Sequence, residues 1–152
     1  VIQRKQTIWL LISMLAWIIL FFKPVIGFTG EGEGPWMLHA AGIREAETGK
    51  MVLQAIPLLI LYILVLVLTL GSILLFKARN LQLRITLYTM ILQILSYALI
   101  GLYIVMGKKQ LDADPRILFL SIVPLVSCFF SWLAFRGIRM DILMLKTLNR
   151  LR

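Results

Sequence analysis

Few side chains in this 152-residue chain can do chemistry, and their types restrict what that chemistry is. One histidine, His39, and one cysteine, Cys128, are present. A lone thiol allows no intramolecular disulfide, and neither residue has the companions that a zinc site of three or four converging ligands requires. His39 with Glu45 or Glu47 is the nearest combination for a cation, but a single histidine is far more often a surface residue. Nucleophilic catalysis would need a base beside a serine or Cys128, and His39 is remote in sequence from both. Haem ligation within an apolar span would need a histidine there, and none is present. The inventory predicts no metal, no cofactor, no catalytic residue and a protein that is not an enzyme.

A different polar pattern is well formed. Gln82, Thr86, Thr89, Gln93 and Ser96 recur at spacings of four, three, four and three, which places all five on one stripe of a helix. In an apolar surrounding such groups are stabilised by facing another helix and exchanging hydrogen bonds. The stripe has no ionisable member and thins to Ser96 and Tyr103 at one end, which favours packing over the lining of a polar path. Ser121, Pro124, Ser127, Cys128 and Ser131 recur at near-helical spacing later in the chain and offer a small-residue face for that stripe.

These residues sit in four stretches without Asp, Glu, Lys, Arg or His: Gln6 to Phe22, Met51 to Phe76, Ile85 to Met106 and Ile117 to Phe135. A hydrocarbon core of about 30 Å takes about 20 helical residues, so each is a credible crossing. With 61% hydrophobic residues and a mean hydropathy of +0.93, there is too little polar surface to cover an ordinary soluble globule. Phe21, Phe22, Lys23 and Pro24 stand where a leader peptide would need small residues for cleavage, so the first span is expected to be retained.

Charge orients the spans. With the N-terminus cytoplasmic, the inner side holds Arg4, Lys5, Lys77, Arg79, Arg84, Arg136, Arg139, Lys146, Arg150 and Arg152 against the single acid Asp141. The outer side holds six bases and six acids, so the entire formal charge of +9 lies inside. Lys and Arg in short loops set orientation, and ten against six predicts both termini in the cytoplasm. Positive loops flanking membrane spans account for the basic composition, and no arginine and aromatic stripe for stacking bases accompanies them, so no nucleic-acid partner is expected.

The expected fold is an all-α, four-helix up-and-down transmembrane bundle forming one domain over residues 1–152. Its spans are expected at about 6–27, 51–76, 85–106 and 117–135, with an outer loop at 28–50 and a cytoplasmic tail at 136–152. Within the loop, Gly30-Glu31-Gly32-Glu33-Gly34 is flexible and acidic, the opposite of a phosphate cradle. Pro35 and the Thr48-Gly49 pair bracket a short surface helix over Trp36 to Glu47. In the tail, Arg136, Arg139, Lys146 and Arg150 fall within an arc of about 80°, and Ile138, Ile142, Leu145 and Leu148 within about 120° elsewhere. That is a basic amphipathic helix, suited to anionic lipid headgroups or to a partner.

Three segments carry a family resemblance: Val1-Ile2-Gln3-Arg4-Lys5-Gln6-Thr7, Phe76-Lys77-Ala78-Arg79-Asn80-Leu81-Gln82-Leu83-Arg84, and Arg136-Gly137-Ile138-Arg139-Met140-Asp141 through Asn149-Arg150-Leu151-Arg152. With these the chain resembles a family of short four-span inner-membrane proteins of Bacteroidota known as a domain of unknown function. That family's ending carries acids after Asp141 and before the last Arg-Leu-Arg, where this chain has Ile142 and Asn149. The resemblance implies a fold and a location rather than a reaction. The expected role is a non-catalytic accessory or scaffold subunit of a larger assembly in the bacterial inner membrane. Lys77, Arg79, Arg84, Arg136, Arg139, Lys146 and Arg150 would contact anionic lipid or a partner. The alternative is a carrier or channel for a neutral or lipid-like molecule, acting alone or as a homodimer, with Gln82, Thr86, Gln93 and Ser96 lining the route.

Overall fold

A computed structural model describes residues 2–30 and 35–150. Four long helices form, α1 (Ile2–Phe22), α2 (Ile56–Leu74), α3 (Arg79–Leu111) and α4 (Val123–Arg150). Five short strands accompany them, β1 (Ile26–Thr29), β2 (Trp36–His39), β3 (Gly42–Glu45), β4 (Met51–Gln54) and β5 (Asp114–Ile117). Helix α1 packs on α2 and α4, and α3 packs on the same two, so the four close into an up-and-down ring. All four are long and apolar enough to cross a membrane.

The helices carry large apolar side chains on their outer surface and bury polar ones among the apolar core, which a water-soluble bundle does not do. Ile60, Ile63, Val67 and Leu70 of α2 and Tyr88, Ile91, Ile94 and Leu95 of α3 are exposed, whereas Ser72, Thr86, Gln93, Ser127 and Ser131 are buried. Helix α3 has 33 residues and spans about 50 Å at 1.5 Å per residue, with Arg79 and Arg84 in its opening turns and Lys108 and Lys109 in its last turn. It ends where Asp112 takes a left-handed conformation, φ 46°, which an Asp tolerates better than most residues and which turns the chain into β5.

The expectation of an all-α fold is corrected by an antiparallel sheet in the order β4-β3-β2-β1-β5. It covers the end of the bundle where α1 and α3 finish and α2 and α4 begin. The helix expected over Trp36 to Glu47 is instead the hairpin of β2 and β3, with His39 opposite Gly42. Burial alternates along β2, where Trp36 and Leu38 are buried and Met37 and His39 less so, and in β3 Ile43 is buried while Arg44 is exposed. That period of two fits a strand with one face on the core. Gly42, at φ 149°, lies so close to the Leu53 carbonyl that a Cβ has no room. Thr48-Gly49, read as a helix stop, closes the next hairpin, with the Gly49 amide bonded to the Glu45 carbonyl at 3.0 Å. Gly after a small polar residue ends either element, and only the pairing partner separates the two readings. Strands also take residues 26, 27 and 51–54 out of the first two expected spans and the outer loop out of coil.

The inward sheet face joins the core. Phe28 and Ile43 press on Gly107 of α3, where an added Cβ would stand 2.7 Å from the Phe28 ring and 2.9 Å from Ile43 Cδ1. Trp17, Tyr62, Ile100 and Tyr103 complete the cluster from the helices. Helix α4 follows a 3₁₀ turn at Phe119–Ile122. Its start is fixed by Tyr97, whose hydroxyl donates to the Ser121 carbonyl at 2.7 Å and accepts from the Leu125 amide at 3.1 Å. Pro124 sits in the first turn, where its missing donor costs little, rather than kinking mid-helix. From there α4 continues through Gly137 to Arg150, so the expected amphipathic tail is the C-terminal part of the fourth helix. Ile138 is buried on it as expected of the apolar arc, but so is Asp141.

Candidate functional site: a buried polar spine and a basic groove

All five stripe residues, Gln82, Thr86, Thr89, Gln93 and Ser96, are buried. Their partners come from every other helix, not from α4 alone. Thr86 Oγ1 donates to the Gln82 carbonyl of its own helix at 2.8 Å, so its contact with Ser72 Oγ of α2 at 2.7 Å has Ser72 as donor. Thr89 and Ser96 bond back to carbonyls of α3 at 2.9 and 2.6 Å.

Gln93 joins three helices. Its Nε2 donates to Ser13 Oγ of α1 at 3.2 Å and to Ser127 Oγ of α4 at 3.0 Å. Ser13 Oγ also meets Ser127 Oγ at 2.7 Å and Ser131 Oγ at 2.9 Å, and Ser127 Oγ donates to the Ser13 carbonyl at 3.2 Å. One assignment of protons satisfies every hydroxyl. Ser127 gives its proton to the Ser13 carbonyl, Ser13 gives its own to Ser127, and Ser131 gives its own to Ser13. Gln93 Oε1 is then left without a partner, as are the buried Trp17 Nε1 and Tyr62 hydroxyl. The expected small-residue face of α4 is real in Ser127 and Ser131. Ser121 lies elsewhere, its hydroxyl donating to the Val25 carbonyl at 2.6 Å and tying the sheet end together.

At the other end, where a short turn joins α2 to α3, a separate buried polar contact centres on Asp141. This carboxylate is 5% exposed, accepts from Gln6 Nε2 at 2.8 Å and stands 3.9 Å from Arg79 Nη1. Sequence reading left Asp141 as a surface acid and missed Gln6 and Ser13. The signal was available, since Gln6, Ser13 and Trp17 lie seven and four residues apart, the spacing of one helical face.

The seven basic residues expected to act together divide. Lys77 and Arg79 line a groove of about 570 Å³ with Asn80, Leu81, Ile142 and Leu145, at the same end as Asp141. Arg84, Arg136 and Arg139 are exposed and line no part of it, and Arg136 lies over the Trp132 ring, 5.9 Å from its centroid. The side chains of Lys146 and Arg150 fall outside the described residues, as do Glu31 and Glu33 of the glycine run. Among the described residues no three of His, Cys, Asp and Glu gather where they could hold a metal ion. His39, half-buried in β2, is held below its ordinary value of 6.5, chiefly by burial and further by Arg44.

A family model matches residues 2–151, nearly the whole chain including both the spine and the groove. The chain belongs to DUF4293, a domain of unknown function. No curated protein matches it. DUF4293 membership extends over the sheet as well as the four helices, so both belong to one family unit.

Proposed function

We propose that this DUF4293 protein is a multi-pass inner-membrane protein acting as a non-catalytic accessory or scaffold subunit of a larger membrane assembly. Both termini lie in the cytoplasm and the sheet lies on the outer side. The apolar exterior of the bundle supports membrane insertion, since exposed Ile, Leu and Val have no place to go in water. Arg84 and Lys108, 24 residues apart on α3, are separated by about 36 Å, enough to bracket a hydrocarbon core of about 30 Å. Phe119, 87% exposed, and Ile117, 77% exposed, stand at the sheet end where an interface would receive them.

The observation that carries the scaffold reading is the burial of the stripe. Gln82, Thr86, Gln93 and Ser96 are covered by neighbouring helices and, at Thr86 and Gln93, bonded across to them. A carrier or channel needs such groups open to water at some stage, so their burial counts against that alternative. The exposed bases of α3 and α4 then serve adhesion to anionic lipid or to the larger partner. Affinity purification in mild detergent with mass-spectrometric identification tests the proposal. A stoichiometric membrane companion is expected, and recovery of the protein alone would overturn it. Cysteine accessibility at residues 82, 86, 93 and 96 tests the alternative, with no labelling expected.

A further inference from the structure

We infer that the groove beside the α2–α3 turn binds one anionic phosphodiester lipid, with its phosphate between Lys77 and Arg79 and an acyl chain along Leu81, Ile142 and Leu145. The inference deepens the proposed role and rests on it only in placing this end of the bundle at a headgroup layer. Three features of the groove point to a lipid. Its polar wall has two cations and its lining contains no acid. Its opposite wall is aliphatic, which a soluble anion would leave unfilled. Its volume of about 570 Å³ holds a headgroup and the first part of a chain, not a whole lipid.

Asp141 sets both the position and the charge. Buried behind Arg79 and bonded by Gln6 at 2.8 Å, it cannot swing into the groove, and its Oδ2 lies 3.9 Å from the guanidinium. It therefore orients Arg79 without using its five donors, and the Arg79 side chain remains 28% exposed. Lys77 and Arg79 offset by Asp141 leave a single positive charge, which matches one phosphodiester and undercompensates a phosphate dianion. Arg79 opens α3, which has no side-chain cap, so the free amides of that first turn add to the attraction.

Native mass spectrometry of the full chain, delipidated and titrated with phosphatidylglycerol, phosphatidylcholine or inorganic phosphate, tests the site. Phosphatidylglycerol is expected to bind at one copy and at least fivefold tighter than phosphatidylcholine, with inorganic phosphate giving no adduct. Loss of one basic contact near a membrane surface changes affinity about fivefold. Lys77→Gln should therefore weaken phosphatidylglycerol about fivefold, whereas Lys50→Gln, an exposed base between β3 and β4 at the sheet end of the molecule, should change it less than twofold. Arg79→Lys keeps the charge and the Asp141 partner, and should retain binding within about threefold. Equal binding of the two lipids, equal losses in the groove and control variants, or equal occupancy by phosphate would each overturn the inference. Orientation is read separately, by labelling Thr147→Cys in a Cys128→Ser background with a membrane-impermeant reagent in intact cells. Labelling there would refute the cytoplasmic terminus and leave the lipid measurement standing.

Discussion

Replacing Ser13 by alanine removes one oxygen atom from the centre of the bundle and is the most direct test of the spine. Ser13 Oγ takes part in three side-chain hydrogen bonds, with Ser127, Ser131 and Gln93, at 2.7, 2.9 and 3.2 Å. Interhelical bonds of this kind average about 0.6 kcal/mol in membrane proteins, so three put the loss near about 2 kcal/mol, about 30-fold in the unfolding equilibrium. Alanine leaves almost no cavity, so the packing term is small. Ser131 recovers part of its loss by turning its hydroxyl to a carbonyl of α4, whereas one Gln93 N–H is left without an acceptor in the buried core. Reversible unfolding of the purified chain in mixed micelles, followed by tryptophan fluorescence, measures the change. Ser96→Ala is the control, because its hydroxyl bonds only within α3, and should cost less than about 0.5 kcal/mol. A cycle with Gln93→Met should show coupling between positions 13 and 93 of at least about 0.5 kcal/mol. If Ser13→Ala unfolds like the parent, or the two substitutions add without coupling, the spine does not join the helices.

Gly107→Ala should destabilise the contact of sheet and bundle by about 1–3 kcal/mol, because the new methyl overlaps Phe28 and Ile43, and hydrogen exchange should rise in β1 and β3 before it rises in α2. Asp141→Ala strands Gln6 and Arg79 and should cost about 2 kcal/mol, with Asp141→Asn costing less than about 1 kcal/mol because its amide oxygen still accepts from Gln6; thermal melts in detergent rank the two. His39 is lowered in the folded state, so the unfolded chain binds the extra proton first. Stability from this group is complete above pH 6.5 and erodes as pH falls from 6.5 towards the lower folded value. A pH series of melting temperatures should show that slope in the parent and its loss in His39→Gln, the chain having no other histidine.

Helices were legible because lipid-length apolar runs have few alternatives, and the stripe on α3 was legible because a repeat of four and three has only one helical interpretation. Residues 36–45 were not. Over ten residues the alternation of Trp36 and Leu38 competes with a proline and a glycine placed as helix punctuation, and the contest is decided by strand pairing: partners 3 to 12 residues away within β1 to β4, and 85 to 91 residues away where β5 completes the sheet on β1. Strand β1 bonds both to β2 and to β5, which enters only after α3. The basic residues were legible as a class but not as a site, since Lys77 and Arg79 become a groove only where Ile142 and Leu145 of α4 close its far wall.

By itself, the sequence determined the four apolar helices and the polar face of α3, because each follows from local composition and from the fixed period of a helix. The tertiary structure alone decided that the loop folds into a sheet, that Gln93 meets Ser13 and Ser127, and that Asp141 stands buried behind Arg79. The reason is physical: a strand or a hydrogen-bonded core needs a partner from another segment, near or far, and sequence spacing carries no record of which segment that is.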